Sequence, residues 1–199
     1  MVSTTPTGRL VFVPQVQHLT LDVADASAGA VPELCSTEFG GRDSLVEDDG
    51  KGTITIRRRG PVHPFDLARR TAHVTLSPLV AWHIEVQGPA AHIEADLTGL
   101  PLLSLTVTGG LTQARFVLPH TDRTVAVHFG SGVRKTTIVR PPSVRATLRG
   151  DTGFTGLSLD GEWVGTRTEA DWRSAEPVES TPGCYDITLD SGANRLTIA

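Results

Sequence analysis

The sequence predicts an all-β fold, a β-solenoid-like stack of two-strand rungs with a repeat of about 20 residues. Three observations carry that expectation. Apolar residues alternate with polar ones in short runs, as in Leu103-Leu105-Val107 and Ala114-Phe116-Leu118, the period-2 signature of a strand with one buried face. Those two runs are split by Gly109-Gly110, and Gly109 stands 21 residues after Gly88 at the matching place of the preceding unit. Finally, 20 Gly and 13 Pro in 199 residues demand frequent turns and short strands. Two short strands cannot close a core alone, but stacked on their neighbours they can. An antiparallel β-sandwich also yields short, regularly spaced strands; the corner recurring in register favours the solenoid.

Taken in order, the first copy of the unit is Leu10 to Leu21, with Pro14-Gln15 in place of the glycines. A weaker copy spans Leu45 to Ile56, where Asp49-Gly50 is a turn dipeptide ahead of Thr53-Ile54-Thr55-Ile56. The third runs from Trp82 through Gly88-Pro89 to Leu97, and the central unit follows it. Val125 to Ile138 turns at Gly130-Ser131-Gly132, and Val144 to Leu159 turns at Gly150 with about two extra corner residues. The last copy is Tyr185 to Ile198, with its corner at Ser191-Gly192. Corner glycines supply positive φ or a close backbone approach. Pro101, Pro119, Pro141 and Pro142 fall at the opposite rung ends, where a missing N–H costs least.

Three stretches break the pattern. Residues 22–44 are acidic and irregular, with a short helical turn a candidate at Val31–Cys35; residues 57–72 form a basic, Pro-containing loop; residues 160–183 form an acidic loop carrying Trp163 and Trp172. The expected organisation is one β-repeat domain over 1–199. It divides into divergent N-terminal rungs and a cap (1–80), regular repeats (81–159), an inserted loop (160–183) and a final rung (184–199).

Composition narrows the function. A net charge of −4 and a pI near 5.9 argue against a dedicated nucleic-acid binder. No stretch approaches the roughly 18 consecutive apolar residues of a membrane span, and the N-terminus lacks the pattern of a secretory signal, so the expected address is the cytoplasm. Cys35 and Cys184 form no metal-spaced or CxxC pattern and are expected to be reduced thiols.

Motifs with chemistry are few. Gly130-Ser131-Gly132-Val133-Arg134-Lys135-Thr136 glances at a phosphate loop, but Arg134 stands where Gly is needed and a strand pattern follows, so a repeat corner is expected. The seven His residues show no HxH or HExxH spacing, and no metal or other cofactor is expected. His18 and His92 share one rung position beside Gln113, but in sequence order an intervening rung separates them. His83, Glu85, Glu94 and Asp96 are the candidates for acid–base chemistry in a cleft on the solenoid flank. The binding candidates are Trp163 and Trp172 in the acidic loop, since Trp is enriched at interface hot spots, and Arg57-Arg58-Arg59 after the acidic run Glu47-Asp48-Asp49.

The stretches Trp82-His83-Ile84-Glu85-Val86-Gln87-Gly88 and Tyr185 to Ile198, with the echo of TVTGGLTQARFVLP in SGANRLTIA, carry a family likeness. The chain resembles the putative-adhesin type of bacterial solenoid domain, akin to the C-terminal domain of LiaF-type envelope-stress proteins. It is most similar to uncharacterised proteins of high-GC bacteria with repeated GGAxxLxL corners. The resemblance spans residues 8–199, implies a β-solenoid-like fold, and carries no established activity or catalytic residues. At Gly88-Pro89, Ser131-Gly132 and Gly150-Asp151 one corner glycine is replaced, and the transmembrane helices of LiaF-type proteins are missing.

The leading expectation is therefore a non-enzymatic scaffold or interaction module with a protein partner. An enzyme or small-ligand binder with a flank cleft is the alternative. Self-assembly into a homo-oligomer through open solenoid ends is the third reading.

Overall fold

The structure, a computed structural model, describes residues 6–13, 16–25, 34–39, 44–58, 71–175 and 182–199. Every element among them is a strand. The N-terminal third holds β1 (Thr7–Phe12), β2 (Val16–Val23), β3 (Cys35–Phe39), β4 (Ser44–Asp48), β5 (Thr53–Arg58) and β6 (Thr71–Leu76). The regular repeats supply β7 (Ala81–Val86), β8 (Ala90–Asp96), β9 (Leu102–Val107), β10 (Leu111–Val117), β11 (Thr124–Phe129) and β12 (Val133–Val139). The chain continues through β13 (Arg145–Gly150), β14 (Phe154–Leu159), β15 (Glu162–Arg167), β16 (Ala170–Arg173), β17 (Cys184–Leu189) and β18 (Ala193–Ile198).

These strands build two nine-stranded sheets around one apolar core. The first sheet runs β16-β13-β17-β11-β9-β7-β1-β5-β4 and the second β15-β14-β18-β12-β10-β8-β2-β6-β3. Each repeat gives one strand to either sheet, and successive rungs pair in parallel, as the solenoid expectation required. The buried positions stack in register. Ile84, Leu105, Val127, Ile187 and Leu148 form one column of the first sheet, while Leu21, Ala95, Phe116, Ile138, Ile198 and Leu159 form one of the second.

The order of the rungs departs from the order of the sequence. The first rung, β1/β2, lies between β7/β8 and β5/β6, and the last, β17/β18, lies between β11/β12 and β13/β14. The stretch Leu45–Ile56, expected to be a weak rung, is instead the antiparallel β4–β5 hairpin. Its turn is locked by Asp49, whose carboxylate accepts the backbone N–H groups of Lys51 and Thr53 at 2.7 and 2.9 Å. The stretch 160–183, expected to be a loop, contains β15 and β16, which add antiparallel strands to one end of the stack. Asp160-Gly161, both at positive φ (48° and 81°), form the two-residue turn of a tight hairpin between β14 and β15. At the other end β3 and β4 do the same against β6 and β5. Part of the region read as irregular (22–44) is thus strand; the proposed turn at Val31–Cys35 begins outside the described residues.

With few aromatic residues, the core seats two of its large rings against residues that lack a side chain. Trp82 is fully buried and covers its register neighbour Gly8, where a Cβ would meet the indole at 2.8 Å. Phe154 closes in the same way on Gly150. The Trp82 indole N–H also donates to the Ser77 carbonyl at 2.9 Å. Trp82→Phe removes this buried hydrogen bond and part of the ring, and is expected to cost about 2 kcal/mol. Urea denaturation checks this as a lower midpoint with an unchanged slope.

Candidate functional site

Alternation leaves a polar outer face on each sheet, and the two faces differ in how their charges are partnered. On the first sheet the polar groups satisfy one another between neighbouring rungs. Arg9 donates to Glu85 at 2.6 Å, and Gln87 donates to the other carboxylate oxygen at 2.6 Å. The Arg9 hydrogen bond, followed by that of Gln87, holds the Glu85 carboxyl below its ordinary range. His83 Nδ1 lies 2.8 Å from Ser104 Oγ. His128 contacts Thr188 at 3.0 Å and Asp190 at 3.3 Å, and Asp186 accepts from Thr147 and Arg149.

The second sheet leaves four cations without such a partner. Arg115 on β10, Arg134 and Lys135 on β12, and Arg195 on β18 are exposed, and none has an ion-pair partner among the described residues. Lys135 and Arg195 share a left-handed backbone (φ 49° and 60°), as does Gly156 (φ 72°) in the adjoining strand. The pairing of Arg134 with Asn194 and of Asn194 with Thr155 sets these three beside one another across β12, β18 and β14. Just after the corner the alternation slips by one residue, so the consecutive residues Arg134 and Lys135 are both exposed, as are Asn194 and Arg195 on β18. Trp163, on the edge strand β15, is 68% exposed. Its indole and the Arg195 side chain meet over Gly156, at 3.2 and 3.4 Å from where a Cβ would stand. An aromatic ring and a row of unpaired cations thus share one end of this face.

The other predicted residues disperse. Trp172, on β16, packs half-buried against the core opposite Leu148. Arg57 is exposed on β5, 3.5 Å from Glu47. Arg58 ends β5, and Arg59 lies outside the described residues. His83 and Glu85 sit with Arg9 and Ser104 around a shallow depression of about 340 Å³ on the first sheet. Glu94 and Asp96 belong to β8 on the second. The strands that carry these four residues, β7 and β8, go to opposite sheets, so the core separates the two pairs. A larger groove of about 1070 Å³ follows the rung-to-rung crossovers past Pro101, Pro119 and Pro141, and contains none of the four.

The predicted separation of His18 from His92 is overturned. Because β5 pairs on the far side of β1, β2 pairs directly with β8, and His18 stands opposite His92 in register. Their rings stack with centroids 4.4 Å apart and planes 13° from parallel. Glu94, two residues along β8 on the same face, completes a group whose ligand atoms all lie within 4.8 Å of one another.

Corner 130–132 leads into the strand β12, so the phosphate-loop pattern has no helix to follow it. Cys35 and Cys184 are both free and half-buried. Burial, reinforced by the nearby Asp48 carboxylate, pushes the Cys35 thiol up to about 11, and burial likewise raises that of Cys184. Both stay protonated at neutral pH and are poor nucleophiles.

No family model and no curated protein matches the chain, so the expected resemblance to LiaF-type proteins has no support from these comparisons. Among solved structures, the chain is similar to a putative cell adhesion protein from Clostridium sporogenes ATCC 15579. The TM-score is 0.71 at 15% identity, covering 98% of this chain and 94% of that one. At that identity the likeness shows the fold, an adhesin-like arrangement of strands. No helix among the described residues is long and apolar enough to cross a membrane.

Proposed function

We propose that this protein is a non-enzymatic interaction module that docks an acidic polypeptide on the outer face of the second sheet, anchored by Trp163, Arg195 and Lys135. One observation carries the reading: the rungs of the first sheet pair Arg9 with Glu85 and Arg149 with Asp186, whereas the second leaves Arg115, Arg134, Lys135 and Arg195 without an ion-pair partner among the described residues, beside the most exposed tryptophan. Trp and Arg are the residue types that dominate binding hot spots. The left-handed positions project cations in a fixed row at little entropic cost, because the stacked rungs beneath are rigid. The similarity in fold to a putative cell adhesion protein agrees with a surface made for contact. End-to-end assembly has less support, because short antiparallel strands bearing charged residues close both ends of the stack, a usual device against edge pairing.

Poly-glutamate serves as the probe, read by tryptophan fluorescence and by salt dependence. Saturable binding that weakens with added salt is expected, with Trp163→Ala and Arg195→Asn each lowering affinity by about tenfold. Asn is chosen because it tolerates the left-handed backbone. Arg9→Gln removes the same charge from the first sheet and is expected to change little. Equal losses from Arg9→Gln and Arg195→Asn would reduce the effect to net charge and sink the assignment.

A further inference from the structure

The geometry points to a divalent transition-metal site of the Zn²⁺ class on the second sheet, formed by the imidazoles of His18 and His92 and the carboxylate of Glu94. It lies on β2 and β8, beside the strand of Arg115 and two to three strands from Lys135 and Arg195, and does not rest on the acidic-partner reading.

Four features support it. The two histidines come from directly paired parallel strands, so their backbone positions are set by ladder hydrogen bonds. The near-parallel stack, 4.4 Å between centroids, holds ring nitrogens from both side by side. Glu94 shares a strand and a face with His92, because residues two apart on a strand point the same way. All three ligand atoms already fall within 4.8 Å of one another. Donors about 2.1 Å from a tetrahedral ion stand roughly 3.4 Å apart, a distance that rotation of these side chains, the histidines half-buried and Glu94 exposed, supplies without moving a strand.

The donor set selects the ion. Two neutral imidazoles and one carboxylate suit Zn²⁺, Ni²⁺ or Cu²⁺, whereas Ca²⁺ and Mg²⁺ require oxygen donors. Three protein ligands leave a fourth position for water or for a group brought by another molecule. Gln113 stands beside His92 and Arg115 beside Glu94 in register. Gln113 can orient the ring next to it, while the Arg115 cation opposes a bound dication.

The test is calorimetric titration of the tag-free, chelator-stripped full chain with Zn²⁺, with Co²⁺ absorption to identify donor type. One equivalent is expected to bind. His18→Ala and His92→Ala should each weaken binding by about tenfold or more; Arg115→Gln should tighten it, and His128→Ala on the first sheet should leave it unchanged. The ligands are at the surface, so circular dichroism should show all variants folded. Absence of saturable binding, an unaltered affinity in His92→Ala, or a thiolate-to-metal band in the Co²⁺ spectrum would each overturn the assignment, the last by moving the ion to a cysteine.

Discussion

Deleting residues 182–199 is expected to unfold the protein rather than shorten it. In a solenoid wound in sequence order, a last rung contacts one neighbour and its loss is local. Here β17 pairs with β11 on one side and β13 on the other, and β18 pairs with β12 and β14. Removing the pair strips a ladder from four strands at once. It also removes Tyr185, Ile187, Leu189, Leu196 and Ile198, all at most 3% exposed. At about 1.5–3 kcal/mol for each such side chain, the loss matches the whole stability of an ordinary domain, about 5–15 kcal/mol. The Tyr185 hydroxyl, which donates to the Pro119 carbonyl, goes with them and leaves a buried acceptor unpaired. Far-UV circular dichroism and gel filtration of the truncated chain provide the check. A compact, cooperatively melting product would mean that β13 can close directly on β11, and would refute the interleaved order.

The second large effect is expected at a single atom. A Cβ on Gly109 would stand 2.1 Å from the Gly88 carbonyl oxygen and 2.4 Å from its carbon. Both are backbone atoms of the rung below, so no side chain can swing aside. Gly109→Ala should therefore destabilise by about 3 kcal/mol or more, the range of overpacking that forces backbone to shift. Gly183, 2.0 Å from the Thr121 carbonyl oxygen, belongs to the same class. Gly110, the other half of the glycine pair, meets only the Gly132 oxygen at 3.9 Å and should accept Ala. Gly153 has nothing within 4 Å and no left-handed backbone; Gly153→Ala is expected to be neutral or stabilising by about 0.5 kcal/mol. Chemical denaturation of the set separates the classes, and a Gly109→Ala midpoint equal to that of Gly153→Ala would refute this account of the corner.

The strands and corners were legible because their causes are local. Period-2 alternation names the buried face of a strand wherever the strand is placed, and at Gly109 the backbone of the rung below leaves no room for a Cβ. The role of Gly109 is close approach: its φ is not left-handed. The hairpin at Asp160-Gly161 was also written locally, since Asp-Gly between alternating runs is a strong turn signal. It was obscured by the acidic, Trp-bearing composition around it. That composition reflects the position of β15 and β16 as end strands, covered on one side only and so lacking clean alternation.

Neither candidate site was legible in full. Trp163 stood out in the sequence, but its partners Arg195 and Lys135 lie 32 and 28 residues away and join it only through the register of β12, β18, β14 and β15. His18 and His92 occupy matching rung positions in the sequence, yet their contact depends on β5 passing to the far side of β1. The sequence by itself determined that this chain makes two-strand rungs and, outside the segment from Leu45 to Leu76, where they turn and which side chains they bury. Only the tertiary structure decided the order in which the rungs stack. The physical reason is that rungs with interchangeable apolar faces satisfy burial equally well in any order. The choice then falls to edge pairing and long connections, whose free energy is spread over the whole stack and carried by no single motif.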